Sequence, residues 1–291
     1  MRRRALLAAV AGTTLAGCFT DDPDYGEVDD VDDLLETADQ YNTVSFDEDW
    51  ERWFTNIFEG SDTTTYTGRS DVPFRVYWPE GEYYGMTMDH FMEEHYDFEP
   101  EAAHLRTWMR FPDEWEFYSD GLGGTKLPGF ASRFNGSDTE QGGYGGREVD
   151  GTNGWSARMF NCRPDRHPEG AGPIALGTQI YHAEADREYG DHPRWDVPLE
   201  TDTWHRIDQY VEVNAPGESD GAYLAWVDGE RAIGVDELYM RDEGYEDIKI
   251  ESLWFNCYFG GDWGSPVDQH MDFDDLQLWL WSERPSVTAS Q

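Results

Sequence analysis

Residues 204–231 read WHRIDQYVEVNAPGESDGAYLAWVDGER. Ile207, Tyr210, Val211 and Val213 are set around Asp208 and Glu212, an imperfect alternation that lies nearer a period of two than of 3.6. Pro216-Gly217 then marks a turn, GAYLAWV reads as another strand, and Asp228-Gly229 marks the next turn. The stretch is therefore strand, turn, strand, turn, and it sets the expectation for the chain around it.

Similar strand patterns recur at PFRVYWPEG, HLRTWMRFPDEWEF, GWSARMFNCR, ALGTQIYHA, IKIESLWFNCYFGG and HMDFDDLQLWLW. Only FDEDWERWFTNIFEG and MTMDHFMEEHYDFEPEAA look helical, for a few turns at most. Strands this numerous without intervening helices predict an all-β fold: two packed antiparallel sheets in a β-sandwich of jelly-roll type, with a concave groove. One such domain is expected over residues 43–285, followed by a short tail at 286–291, with no internal repeat. The 15% aromatic content, 30 glycines and 38% hydrophobic residues among 291 suit a sizeable core bounded by tight turns.

The formal charge is -40, and the acidic residues are spread along the chain instead of gathered in one tail. Such a surface repels itself at ordinary salt and is screened near 1 M, where the Debye length is about 3 Å. A halophilic, haloarchaeal protein is expected, and the charge argues against nucleic acid or an anionic membrane surface as partner. The N-terminus MRRRALLAAVAGTTLAGC has three arginines, an apolar run too short to span a bilayer, and a Leu-Ala-Gly-Cys end. It resembles a lipoprotein signal over residues 1–17 with Cys18 as the lipidated residue, so the expected location is extracellular, anchored to the cell membrane by that lipid alone. Loss of residues 1–17 leaves 18 basic and 61 acidic residues, a charge of -43. Residues 18–42 read as an acidic flexible tether. Cys162 and Cys257 lie in predicted strands and are either bridged or two buried thiols. Asn135-Gly136-Ser137 forms a glycosylation sequon.

No metalloprotease helix, paired CxxC, phosphate loop or nucleophile elbow occurs, and the eight histidines have no ligand spacing. Zinc is therefore not expected, and Asp272, Asp274 and Asp275, which could bind Ca²⁺, read instead as ordinary halophilic carboxylates. The candidates for chemistry are polar residues planted in strands: Lys126, Ser156, Arg158, Gln179 and Tyr181, with His90 and His182. Ser156 and Arg158 are two apart and share a strand face, as do Gln179 and Tyr181. Together they would make a polar, partly cationic floor suited to a polysaccharide with carboxylates. Lys126, one of only two lysines, sits in GGTKLPGF, whose glycines and proline predict a turn at the groove mouth with Leu127 and Phe130 returning to the core.

In order from about residue 70 to 282, GGTKLPGF, GWSARMF, WHRIDQYVEVNAPGESDGAYLAWVDGE and WFNCYFGGDWGSPVDQHMDFDDLQLW resemble the motifs of polysaccharide lyase family 14, the alginate lyase-like group, and of the related family 20 glucuronan lyases. The resemblance implies a jelly roll that degrades uronate-containing, acidic polysaccharide by β-elimination without a metal or organic cofactor; a monomer is expected. Elimination beside a uronate needs a group to neutralise the carboxylate, a base for the C5 proton and an acid for the leaving oxygen. The resemblance carries the motif's Ser and Arg onto Ser156 and Arg158, with Arg158 as neutraliser. Ser156 orients the sugar or satisfies backbone. Tyr181 is expected to transfer protons, its pKa lowered by Arg158 and Lys126. Gln179 stands where the family strand carries the first tyrosine of Tyr-x-Tyr. Either Tyr181 is then both base and acid, or His90 or His182 takes one role. Trp155 is expected in the core. A non-catalytic carbohydrate-binding lipoprotein and a glycoside hydrolase on a similar sandwich are the alternatives.

Overall fold

A computed structural model describes residues 31–47, 49–58, 62–63, 73–138, 140–167, 172–261 and 263–285. The signal segment, Cys18, the first part of the expected tether and the 286–291 tail lie outside the described residues. The chain runs α1 (Val31–Leu35), β1 (Gln40–Val44), β2 (Asn56–Phe58), β3 (Asp62–Thr63), β4 (Phe74–Trp78), β5 (Tyr84–Phe91), α2 (Met92–His95), β6 (Ala102–Arg110), β7 (Thr125–Ala131) and β8 (Ser156–Cys162). It continues through β9 (Ala175–Tyr181), β10 (His205–Glu212), β11 (Gly221–Val227), β12 (Glu230–Leu238), β13 (Ser252–Phe259) and β14 (Gln269–Trp281). The quoted stretch forms β10 and β11, paired antiparallel with Ile207 opposite Val227 and Glu212 opposite Ala222.

Two antiparallel sheets face each other, as the strand pattern predicts. The first is ordered β12-β11-β10-β6-β14-β4-β3, with β1 also on β14; the second is ordered β2-β5-β13-β7-β8-β9. Alternation along each strand sends one set of side chains between the sheets. Ile207, Val211 and Val213 thus enter the same core as Leu253, Phe255 and Cys257. Tyr210, with which the sequence reading grouped them, points the other way and joins a second cluster with Leu224, Trp226 and Trp281.

Three expectations are corrected. Residues 31–42 are not tether: Val31, Leu34 and Leu35 bury against that outer cluster, Asp32 pairs with Arg106 at 2.7 Å, and β1 pairs with β14. A five-residue helix has no stability of its own, so α1 exists because its apolar side is covered. Second, the MTMDHFM segment is strand, with helix confined to Met92–His95. Met, Asp and His have little strand preference of their own, and pairing with β13 and β2 is what holds β5 extended. Third, GGTKLPGF is not a turn but the start of β7. Leu127 and Phe130 do reach the core, both fully buried.

Cys162 and Cys257 are free, buried thiols. Cys257 faces the inter-sheet core, whereas Cys162 packs with Phe160 and Ala175 on the other face of the six-stranded sheet, so no bridge between them is possible. Asp272 and Asp274 are buried instead of belonging to the solvated acidic surface, and Asp272 is held by Arg75 and Arg110, both at 2.9 Å.

Candidate active site

A groove of about 1030 Å³ crosses all six strands of the second sheet, with lining residues on β2, β5, β13, β7, β8 and β9. Its centre is built by β7. Pairing slips between Lys126 and Gly129 on both sides of that strand. Pro128, which has no N–H to give a ladder, falls inside the slip, and its carbonyl accepts instead from Gln209 Nε2 of the opposite sheet at 3.3 Å. The irregularity lets Lys126 and Gly129 both face the groove while Leu127 stays in the core.

Gly129 lies in register between Trp254 of β13 and Arg158 of β8. With no side chain in between, the Arg158 guanidinium reaches across and lies 3.8 Å from the Trp254 ring centroid. Its Nη1 donates to Asn256 Oδ1 at 2.9 Å, and Asn256 Nδ2 donates to Thr87 Oγ1 at 2.8 Å. The remaining Nε and Nη2 donors of Arg158 are buried without a protein partner. Burial lowers the Arg158 pKa to about 10, so it stays cationic at neutral pH.

Lys126 is half-buried and makes no ion pair with another described residue. Its ammonium occupies space kept open by Gly260, where any Cβ would stand 2.7 Å from Nζ. Desolvation, with repulsion from Arg158 second, pulls its pKa down to about 7. Tyr181 lines the groove with its hydroxyl accepting from the Gly146 N–H at 3.2 Å. Burial raises the phenol pKa, outweighing the lowering by Arg158, which reverses the expected direction. Gln179 lines the groove too; its Nε2 donates to the Tyr189 carbonyl at 2.8 Å, and its Oε1 is buried without a partner.

Lys126, Arg158, Gln179 and Tyr181 therefore come together, and three other candidates do not. His90 is on the core side of β5, stacked between Trp53 at 4.2 Å and His95 at 4.0 Å, with Nδ1 donating to the Trp53 carbonyl. Desolvation holds its pKa near 3, so it is a neutral core imidazole. His182 turns to the opposite face from Tyr181, bonds Asp191 at 3.1 Å and lines a separate recess with Glu184 and Ser219. Ser156 is fully buried and donates to the Gly143 carbonyl at 2.6 Å, so of its two readings the structure supports backbone satisfaction. Trp155 is in the core.

Several groove residues escaped the sequence reading. Trp254, Asn256 and Tyr258 alternate in WFNCYF with Phe255, Cys257 and Phe259, a period-two signal that could have been read. Asp89, Gln141 and His192 carry no such mark. Burial, with Arg194 and Lys126 nearby, lowers the His192 pKa to about 4.

A concave antiparallel sheet bearing a guanidinium with unused donors, a perturbed lysine and exposed aromatic faces defines a carbohydrate-active jelly roll. The sequence profile of polysaccharide lyase 14 matches residues 69–276, and the chain belongs to that family; it is a polysaccharide lyase. Among curated proteins none matches the chain. Similar solved structures include alginate lyase vAL-1 from Chlorella virus, at 16% identity and a TM-score of 0.60 over 79% of this chain and 94% of that one. A substituted alginate lyase Aly36B in complex with alginate trisaccharide gives 18% identity and 0.58 over 82% and 98%. The endo-β-1,4-glucuronan lyase of the fungus Trichoderma reesei gives 13% and 0.54 over 84% and 96%.

Proposed function

We propose that the enzyme cleaves a 4-linked uronate polysaccharide, alginate, glucuronan or a relative, by β-elimination. The observation that carries this reading is the pair of cations in one groove, Arg158 with two unused buried donors and Lys126 with a pKa of about 7. A uronate carboxylate would take the free donors of Arg158, whose planar fork accommodates the negative charge that grows as the C5 proton leaves. Lys126, a substantial fraction neutral near pH 7, takes that proton. The electron pair left by the C5–H bond becomes the C4=C5 double bond as the C4–O bond breaks. Tyr181, kept protonated by burial, gives its proton to the departing oxygen. No water is consumed, and Gln179, lacking a phenol, takes no part in proton transfer.

The N-terminal sequence supports export followed by lipid attachment at Cys18, which places the groove outside the cell. Incubating the protein with mannuronan, guluronan and glucuronan in molar salt tests the chemistry. Ultraviolet absorbance of the conjugated double bond should rise together with reducing ends, and Arg158→Ala should lose at least about a thousandfold in kcat/KM with folding intact. Reducing ends without absorbance would indicate hydrolysis instead. Cys18→Ser should move the protein from the membrane fraction to the medium; an unchanged distribution removes the anchor.

A further inference from the structure

The two cations occupy only part of the groove. Toward β5 and β2 the described lining changes character: Thr87, Asp89, Gln141, Tyr84 and Phe58, with no Lys or Arg among them. Asp89 is 2% exposed and lies in register beside Trp254 on one side and Asn56 on the other. Its carboxyl accepts from Gln141 Nε2 at 2.8 Å and from the Asn56 side chain. Phe58, opposite Thr87, and Tyr84 are 48% and 52% exposed, apolar faces turned to solvent at the groove.

A uronate placed there would bring its carboxylate against a buried carboxyl; Arg133, the cation that acts on Asp89 from outside the lining, is already paired with Glu93 at 2.7 Å, so charge repulsion and desolvation both disfavour the arrangement. A neutral sugar meets the opposite situation. Its hydroxyls donate to Asp89 and exchange with the amides of Gln141 and the hydroxyl of Thr87, while an aromatic face takes the apolar side of the ring. The groove is thus divided, with a carboxylate-accepting half at Arg158 and Lys126 and a carboxylate-rejecting half at Asp89.

We propose that Asp89, braced by Asn56 and Gln141, is a specificity-determining residue that selects a neutral sugar at the β5 end, making the substrate a polymer in which 4-linked uronate is flanked by neutral sugar. This rests on the elimination reading and narrows its substrate class. The expected mechanism is a difference between two binding free energies, produced by rejecting the wrong neighbour as much as by favouring the right one.

The test compares a glucuronan homopolymer with a polymer alternating 4-linked glucuronate and glucose, following unsaturated product at about pH 8.5, where a carboxyl of pKa about 7 is ionised. Wild type should show kcat/KM at least about tenfold higher on the alternating polymer. Asp89→Asn, which keeps shape and removes charge, should shrink that ratio about tenfold or more, mainly by improving the homopolymer. A wild-type preference for the homopolymer, or a ratio unchanged in Asp89→Asn, overturns the subsite while the absorbance itself leaves the elimination reading standing. Reducing ends without unsaturated product, or no product from any polymer, overturns both.

Discussion

A lysine ammonium buried beside a guanidinium is disfavoured both by lost hydration and by like charge, and Lys126 titrates near 7 instead of 10.5. Its folded-state pKa lies below the unfolded value, so the unfolded chain binds more protons between those two limits. The destabilisation is therefore full below pH 7 and fades as pH rises toward 10.5. Lys126→Met should accordingly stabilise the fold by on the order of 2 kcal/mol at pH 6, allowing for partial solvent access, and by progressively less in alkaline buffer. If Lys126 is the base, the same titration makes kcat/KM climb in the same direction, as pH passes about 7 and the amine loses its proton. Denaturant melts and pH–rate profiles of wild type and Lys126→Met check both; a melting difference independent of pH would show that Lys126 is not a perturbed buried amine. The candidates legible from sequence were those whose side chains contrast with their surroundings, a rare lysine in a loop-like motif and an arginine two residues from a serine. Asp89 was not legible, because among 61 acidic residues a carboxylate gains meaning only from burial and from the distant Gln141 beside it.

β7 shows what an irregular strand does for the site. Its Lys-Leu-Pro-Gly sequence looks like a turn because Pro and Gly are the strongest local breakers, yet tertiary pairing on both sides keeps it in the sheet. The breakers remain as a register slip, and the slip is what brings Lys126 and the Arg158–Trp254 contact to the same face. Gly129→Ala tests this at the element level. The new Cβ would lie 2.2 Å from the Ala157 carbonyl oxygen and 2.5 Å from Arg158 Cα, backbone atoms that cannot rotate away. A loss of about 1–3 kcal/mol is expected in denaturant melts, with activity falling further than stability because the guanidinium is displaced. A variant as stable and active as wild type would show that the close approach is dispensable. The alternation in the 204–231 stretch foretold β10 and β11 because those strands follow ordinary pairing rules. The helical reading that began at Met86 failed since pairing with β13 and β2 overrides the weak strand preference of Met, Asp and His.

At the level of the whole molecule, the acidic surface is the feature that composition made plainest, and also the one that opposes binding of a polyanion. With a formal charge of -40, self-repulsion and substrate repulsion are both long-ranged at about 0.1 M salt, where the Debye length is about 10 Å. In molar salt only contacts within the groove survive screening, and there Arg158 and Lys126 decide the sign. We predict that the melting temperature and kcat/KM both fall steeply as salt is lowered from about 2 M to about 0.1 M, with Arg158→Lys retaining the stability profile but not the activity. A salt-insensitive melting temperature would contradict the halophilic reading. The jelly roll and the family followed from strand pattern and motif order, whereas the division of the groove arises only when β2, β5 and β13 are side by side. The most direct measurement of the central claim is mass spectrometry of oligosaccharides released in heavy-oxygen water. Elimination predicts that the new non-reducing end is lighter by one water and that cleavage incorporates no label. Saturated products carrying one heavy oxygen per cleavage would contradict it.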